Sequence, residues 1–177
     1  MLGAKSLYLV GMMGAGKTTV GRLLARRLKL RFVDADREIE VRCGVRVPLI
    51  FDIEGEPGFR ARETQVLAEL TALDGIVLAT GGGAVLAAEN RRRLAAGGVV
   101  VYLRARAEDL YERVRHDRNR PLLATADPLA KLKSLYAERD PLYREIADLV
   151  VDTRRQSVQA LARVLVEELR ERWKASA

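Results

Sequence analysis

Eight residues near the N-terminus, Gly11-Met12-Met13-Gly14-Ala15-Gly16-Lys17-Thr18, constrain this chain more than any others. They read G-x-x-x-x-G-K-T, the phosphate-binding loop. An apolar run, Leu7-Tyr8-Leu9-Val10, precedes them, and a helical pattern with apolar Val20, Leu23, Leu24 and Leu28 follows. Strand, glycine loop and helix form the setting in which this motif cradles phosphate. The glycines let backbone N–H groups curl closely around an anion. The positive end of the helix starting near Gly16 points at the same spot. Lys17 can reach outer phosphates, and the Thr18 hydroxyl can ligate magnesium. The loop therefore implies a nucleoside triphosphate, and the open question is what receives a phosphoryl group.

The remaining chain alternates short strands with helices. Strands are expected at Arg31-Phe32-Val33, Ile76 to Ala79, Val99 to Leu103 and Leu149 to Val151. Helices are expected from Arg37 to Cys43, from Val47 to Ile53, and from Phe59 with a stripe of Val66, Leu67, Leu70 and Leu73, with 55–58 as a turn. Further helices are expected over 87–96, over Ala107 to Val114, from Pro128 to Arg139 with a second piece after Pro141, and along Val158, Leu161, Ala162, Leu165, Leu169 and Trp173. Such alternation predicts an α/β fold, a five-stranded parallel sheet with helices on both faces. Ligands of such sheets sit at the carboxyl ends of the strands, where Asp34, Asp36 and Gly81 to Gly83 fall. Residues 115–126 are arginine-rich and aperiodic, and read as a mobile loop.

Asp34 and Asp36 close the second strand. If strand geometry persists they face one side. Asp36 could instead cap a helix at Arg37, although capping accounts for one aspartate and not both. Asp34 is the candidate to hold magnesium with Thr18, directly or through water.

With 177 residues, 49% of them hydrophobic and 31% charged, one soluble domain spanning 1–177 is the simplest reading. No apolar run approaches the roughly 18 residues of a membrane span, and the N-terminus lacks a secretory core, so a cytoplasmic location is expected. Cys43 and His116 each stand alone, which disfavours an internal disulfide and a histidine-based metal site or triad. The formal net charge of +7 permits nucleic acid as a partner. The arginines are nevertheless spread among carboxylates, and no nucleic-acid motif occurs. A positive field serving small anionic ligands is therefore the favoured reading.

Five stretches together resemble the shikimate kinase family, small P-loop kinases related in fold to the nucleoside monophosphate kinases. They are Gly11 to Gly21, Asp34-Ala35-Asp36, Phe51 to Glu63, Thr80-Gly81-Gly82-Gly83, and Arg120-Pro121-Leu122-Leu123 followed by Arg139-Asp140-Pro141-Leu142-Tyr143. The resemblance covers essentially the whole chain. It implies transfer of the γ-phosphoryl of ATP to the 3-hydroxyl of shikimate in aromatic amino-acid biosynthesis, with Mg2+ and no nucleic-acid or membrane partner, by a monomer. By the same resemblance, Arg60 and Arg139 bind the shikimate carboxylate, a task suited to a planar guanidinium. Asp36 receives ring hydroxyls, and the Gly82 amide approaches the substrate. Gly14, Ala15, Gly16, Lys17, Thr18 and Thr19 hold phosphates. Arg113, Gln156 and the segment 152–156 lie against adenine. Arg120 closes on the phosphates from a lid over about 115–126, opposite a substrate-binding helical region over about 34–63. Lys17, Asp36 and Arg120 are the implied catalytic groups, and Thr18 and Asp34 the implied metal ligands. Glu63, one turn from Arg60, can hold that guanidinium in place. Phe51 and Phe59 either wall the acceptor cavity or pack in the core. Two departures stand out: Ser157 where the family often has proline, and the apolar Val47-Pro48-Leu49-Ile50 ahead of Phe51.

Overall fold

The computed structural model describes residues 5–154 and 156–175. Its strands are β1 (Ser6–Val10), β2 (Arg31–Asp34), β3 (Ile76–Ala79), β4 (Gly98–Arg104) and β5 (Leu149–Asp152). Its helices are α1 (Lys17–Leu28), α2 (Ala35–Cys43), α3 (Val47–Leu70), α4 (Ala88–Gly97), α5 (Ala107–Val114), α6 (Pro128–Ile146) and α7 (Val158–Ala175). Short 3-10 turns lie at Ala84–Leu86 and Pro121–Leu123.

All strand pairs are parallel, in the order β2-β3-β1-β4-β5. β1 is the central strand, and every one of its residues is buried. Beyond Ser6 the strand is an unbroken run of apolar and aromatic residues, as suits one with helices covering both faces of the sheet. α1 packs with α7 on one side, and α3, α4 and α6 pack together on the other. From β1 the chain goes to β2 and back to β3 on one side, then crosses to β4 on the other, so a crevice opens beyond the end of β1, where Gly11 begins.

Several boundaries differ from expectation for local reasons. α2 begins at Ala35, and its cap is Asp34, whose Oδ1 accepts from the Arg37 amide at 3.1 Å. Asp36 is therefore not the cap: it lies inside the first helical turn and its carboxyl is free for another task. The two helices expected on either side of residues 55–58 run as one element, broken at Gly55 with φ 69° and ψ 178°. Pro57 then falls in a new first turn, where a missing N–H costs nothing. Leu73, placed on the stripe of this helix, lies beyond its end at Leu70 and is 37% exposed. α6 continues through Pro141 rather than splitting there. Pro141 and Ala137 are both exposed, so solvent can take the carbonyl that the ring deprives of a partner. Ser157 supplies the start of α7, its Oγ accepting from the Ala160 amide at 3.2 Å.

Candidate active site

The loop between β1 and α1 takes its shape from glycines with positive φ: 144° at Gly11, 78° at Gly14 and 95° at Gly16. At Gly11 the need is also steric, because a Cβ would stand 2.5 Å from the Leu103 carbonyl oxygen of β4. Gly16 is the N-cap of α1, and Lys17 is the first helical residue. The Lys17 ammonium donates to the carbonyls of Gly11 at 2.6 Å and Met12 at 2.9 Å, so it closes the loop on itself. Burial, and next the Arg120 charge, bring its pKa down to about 8.

A cavity of about 520 Å³ sits over this loop. Gly14, Ala15, Gly16, Lys17, Thr18 and Thr19 line it, together with Arg113, Arg120 and Gln156. These nine residues expected on the nucleotide side are thus brought together. Arg113 reaches from α5 to donate to the Gly14 carbonyl at 3.0 Å. Of the segment expected against adenine, Thr153 and Gln156 line the cavity, Asp152 and Arg154 pair with each other at 2.7 Å, and Arg155 lies outside the described residues.

A second cavity, of about 1030 Å³, holds the acceptor-side residues Asp36, Phe51, Phe59, Arg60, Glu63, Gly82 and Arg139. The two cavities share Met13, Thr18, Asp34, Asp36, Gly82 and Arg120. A group held in one therefore faces a group held in the other across Asp36 and Gly82. Phe51 and Phe59 stack with centroids 4.9 Å apart and line the wall, and Phe59 is also buried in the core, so both readings of this pair apply to it.

The acceptor cavity is built from buried charge. Arg139 and Glu63 are each 1% exposed. Glu63 Oε2 accepts from Arg60 Nη1 at 2.8 Å, and Glu56 takes a second edge of the same guanidinium at 3.2 Å. Arg60 is thereby aimed from below and lies over the Phe59 ring at 5.3 Å. Three buried polar atoms remain without a partner here: Asp36 Oδ1, Glu63 Oε1 and Arg139 Nε. Buried polar groups are rarely left unpaired, and this concentration marks a place prepared for polar ligand atoms. Burial, and then Asp34, push the Asp36 carboxyl up, against the pull of Lys17 and Arg120. Burial also raises Glu63, with Arg60 opposing.

Gly81 and Gly83 pass between these groups with no room for side chains. A Cβ at Gly81 would meet Glu63 Oε1 at 2.6 Å and Asp36 Oδ1 at 2.8 Å, and one at Gly83 would strike the Arg60 guanidinium. Sequence reasoning singled out Gly82 for its amide and missed the steric role of its neighbours, which the unbroken glycine run itself signalled. It also missed Asp117, whose carboxylate holds Arg120 at 3.0 Å within its own segment.

Thr18 Oγ1 donates to Asp34 Oδ2 at 2.8 Å. Both are hard oxygen donors, and no group of three or more His, Cys, Asp or Glu side chains that could hold a metal occurs among the described residues. Such a pair suits a magnesium ion whose remaining ligands are phosphate oxygens and water. No helix among the described residues is long and apolar enough to cross a membrane.

Comparison with known proteins gives this geometry relatives. The family described as shikimate kinase matches residues 13–170. The shikimate kinase of Thiobacillus denitrificans is 63% identical over 164 residues, 93% of this chain and 90% of that one. The shikimate kinase of Cupriavidus pinatubonensis is 59% identical over 167 residues, 94% of this chain and 87% of the relative. Among solved structures, that of the Acinetobacter baumannii shikimate kinase in complex with shikimate superposes with a TM-score of 0.93 at 48% identity, covering 96% of this chain and 94% of that one. Matched from the phosphate loop into the last helix, the chain belongs to the shikimate kinase family.

Proposed function

We propose that the protein transfers the γ-phosphoryl of ATP to the 3-hydroxyl of shikimate, giving ADP and 3-phosphoshikimate, with the residues brought together above in defined roles. The observation that carries the assignment of roles is the buried Arg139 and the Glu63-braced Arg60 standing with an unpartnered Asp36 oxygen directly across from the phosphate loop. Two guanidiniums suit one carboxylate, and a free carboxylate oxygen suits hydroxyls.

In this reading Arg60, Arg139 and the Gly82 amide seat shikimate with its 3-hydroxyl against Asp36. The raised pKa of Asp36 makes it a better acceptor for the proton that leaves as the oxygen attacks. Lys17, the loop amides and Arg120 neutralise the charge on the moving phosphoryl group. Thr18 and Asp34 hold Mg2+, which when bound neutralises phosphate charge. Arg113 and Gln156 flank the base. The chain acts as one kinase domain in the cytoplasm, as a monomer, with 34–63 as its acceptor side and 115–126 as a lid whose closure excludes water. Its basic surface serves these anions rather than nucleic acid: Arg37, Arg42, Arg46, Arg60 and Arg62 all pair with glutamates of the chain itself.

Release of ADP measured with ATP, Mg2+ and a panel of acceptors tests this. Shikimate should be turned over, and gluconate and nucleoside monophosphates should not. Turnover of one of those instead, or ATP hydrolysis stimulated by DNA or RNA and indifferent to shikimate, would overturn it.

The lowered pKa of Lys17 predicts a pH dependence. The free ammonium empties as pH rises through about 8, and the phosphates of bound ATP draw its pKa back up. Hence kcat/KM for ATP should fall by about tenfold per pH unit above that value while kcat at saturating ATP holds. A kcat/KM profile flat to pH 10 would contradict it.

A further inference from the structure

The turn Gly81-Gly82-Gly83 must present one amide at a fixed place, yet three successive glycines have the greatest backbone freedom a chain offers. Two of its carbonyls are tied locally: Gly81 O accepts from the Ala84 amide and Gly83 O from the Leu86 amide, each at 3.1 Å. The Gly82 carbonyl accepts instead from the Tyr143 hydroxyl, 61 residues away on α6. Tyr143 is fully buried, and Met12 Sδ of the phosphate loop lies 3.7 Å from the same hydroxyl.

Tyr143 is one helical turn beyond Arg139, on the same face of α6. Arg139 Nη1 lies 3.5 Å from where a Cβ of Gly82 would stand. The tyrosine ring is itself held, stacked on Tyr102 with centroids 4.9 Å apart, and the Tyr102 hydroxyl donates to Asp140 at 2.7 Å. Tyr102 is the β4 partner of Val10, the last residue before the phosphate loop. One rigid aromatic pair therefore connects the sheet, the phosphate loop, the glycine turn and the turn of α6 that carries Arg139.

We infer that Tyr143 is a positioning residue for the acceptor: its hydroxyl pins the Gly82 peptide at a set distance from Arg139, so that amide and guanidinium meet the same small molecule. The inference rests on the proposed acceptor site, and on Gly82 and Arg139 acting together within it.

The test is Tyr143→Phe, which keeps the ring and removes one hydrogen bond, set beside Tyr8→Phe. Tyr8 is also fully buried and also donates to a backbone carbonyl, that of Thr71 at 3.3 Å, but its hydroxyl lies beside Gly97, toward the end of the sheet away from the phosphate loop. Both variants should melt below the unsubstituted protein. Only Tyr143→Phe should raise the shikimate KM, by about five- to tenfold, as expected for one buried carbonyl left unpaired, with the ATP KM within about twofold of the starting value. An unchanged shikimate KM in Tyr143→Phe, or equal shifts in both variants, would overturn the positioning role. Because unsubstituted protein is assayed in parallel, an absence of shikimate turnover there would count against the proposed function and not against Tyr143.

Discussion

Lys17→Met should leave at most about a hundredth of kcat, because removing one preorganised charge from a phosphoryl-transfer site typically costs on the order of 100- to 1000-fold. Methionine preserves the aliphatic stem, so the substitution isolates the ammonium. In the structure that ammonium donates to the Gly11 and Met12 carbonyls and lines the smaller cavity beside Thr18, on the side toward Asp36 and Gly82. It can therefore exchange loop carbonyls for phosphate oxygens without moving far. Charge on the phosphoryl oxygens changes most in the transition state, and so the loss should appear in kcat more than in either KM. The same substitution removes two hydrogen bonds from the loop, and a thermal melt recorded beside the kinetics separates that effect. A variant with normal melting and near-normal turnover would remove Lys17 from the chemistry.

What could be read in advance follows a physical division. The inner strands were legible because they are buried on both faces and so appear as apolar runs, as in Ile76 to Ala79 and Val99 to Leu103, whereas the edge strands β2 and β5 are only part-buried. The phosphate loop was legible because its backbone demands glycine at fixed spacing. Helix boundaries were less so where one residue type has two uses. Asp34 and Asp36 look alike in sequence, and only the extended backbone at Asp34, φ −110° and ψ 119°, decides which of them caps α2. Pro141 reads as a break, and it was the exposure of the freed carbonyl's side of α6 that allowed the helix to continue. The acceptor cavity was legible mainly through resemblance. Its carboxylates and guanidiniums come from α2, α3 and α6, which no local period connects. Tyr143 was quoted only as part of a motif, because its bond to Gly82 spans 61 positions and leaves no periodic trace.

Arg139→Ala should lower kcat/KM for shikimate by on the order of 100- to 1000-fold, the scale of losing one partner of a desolvated charge pair, and should leave the ATP KM within about twofold. Arg60 and Arg139 are not equivalent, although both are expected to meet the same carboxylate. Arg60 is held by Glu56 and Glu63, so part of its charge is already answered by the protein. Arg139 is 1% exposed and its Nε has no partner, so more of its binding capacity waits for a ligand. Arg139→Ala should consequently weaken shikimate binding more than Arg60→Ala does. Arg139→Lys should recover only part of the loss, since an ammonium cannot match a carboxylate with two parallel bonds. Titration calorimetry with shikimate alone makes the comparison free of turnover. An unchanged shikimate affinity in Arg139→Ala would place the acceptor carboxylate elsewhere, and a larger loss in Arg60→Ala would make the braced guanidinium, rather than the unpartnered one, its principal anchor.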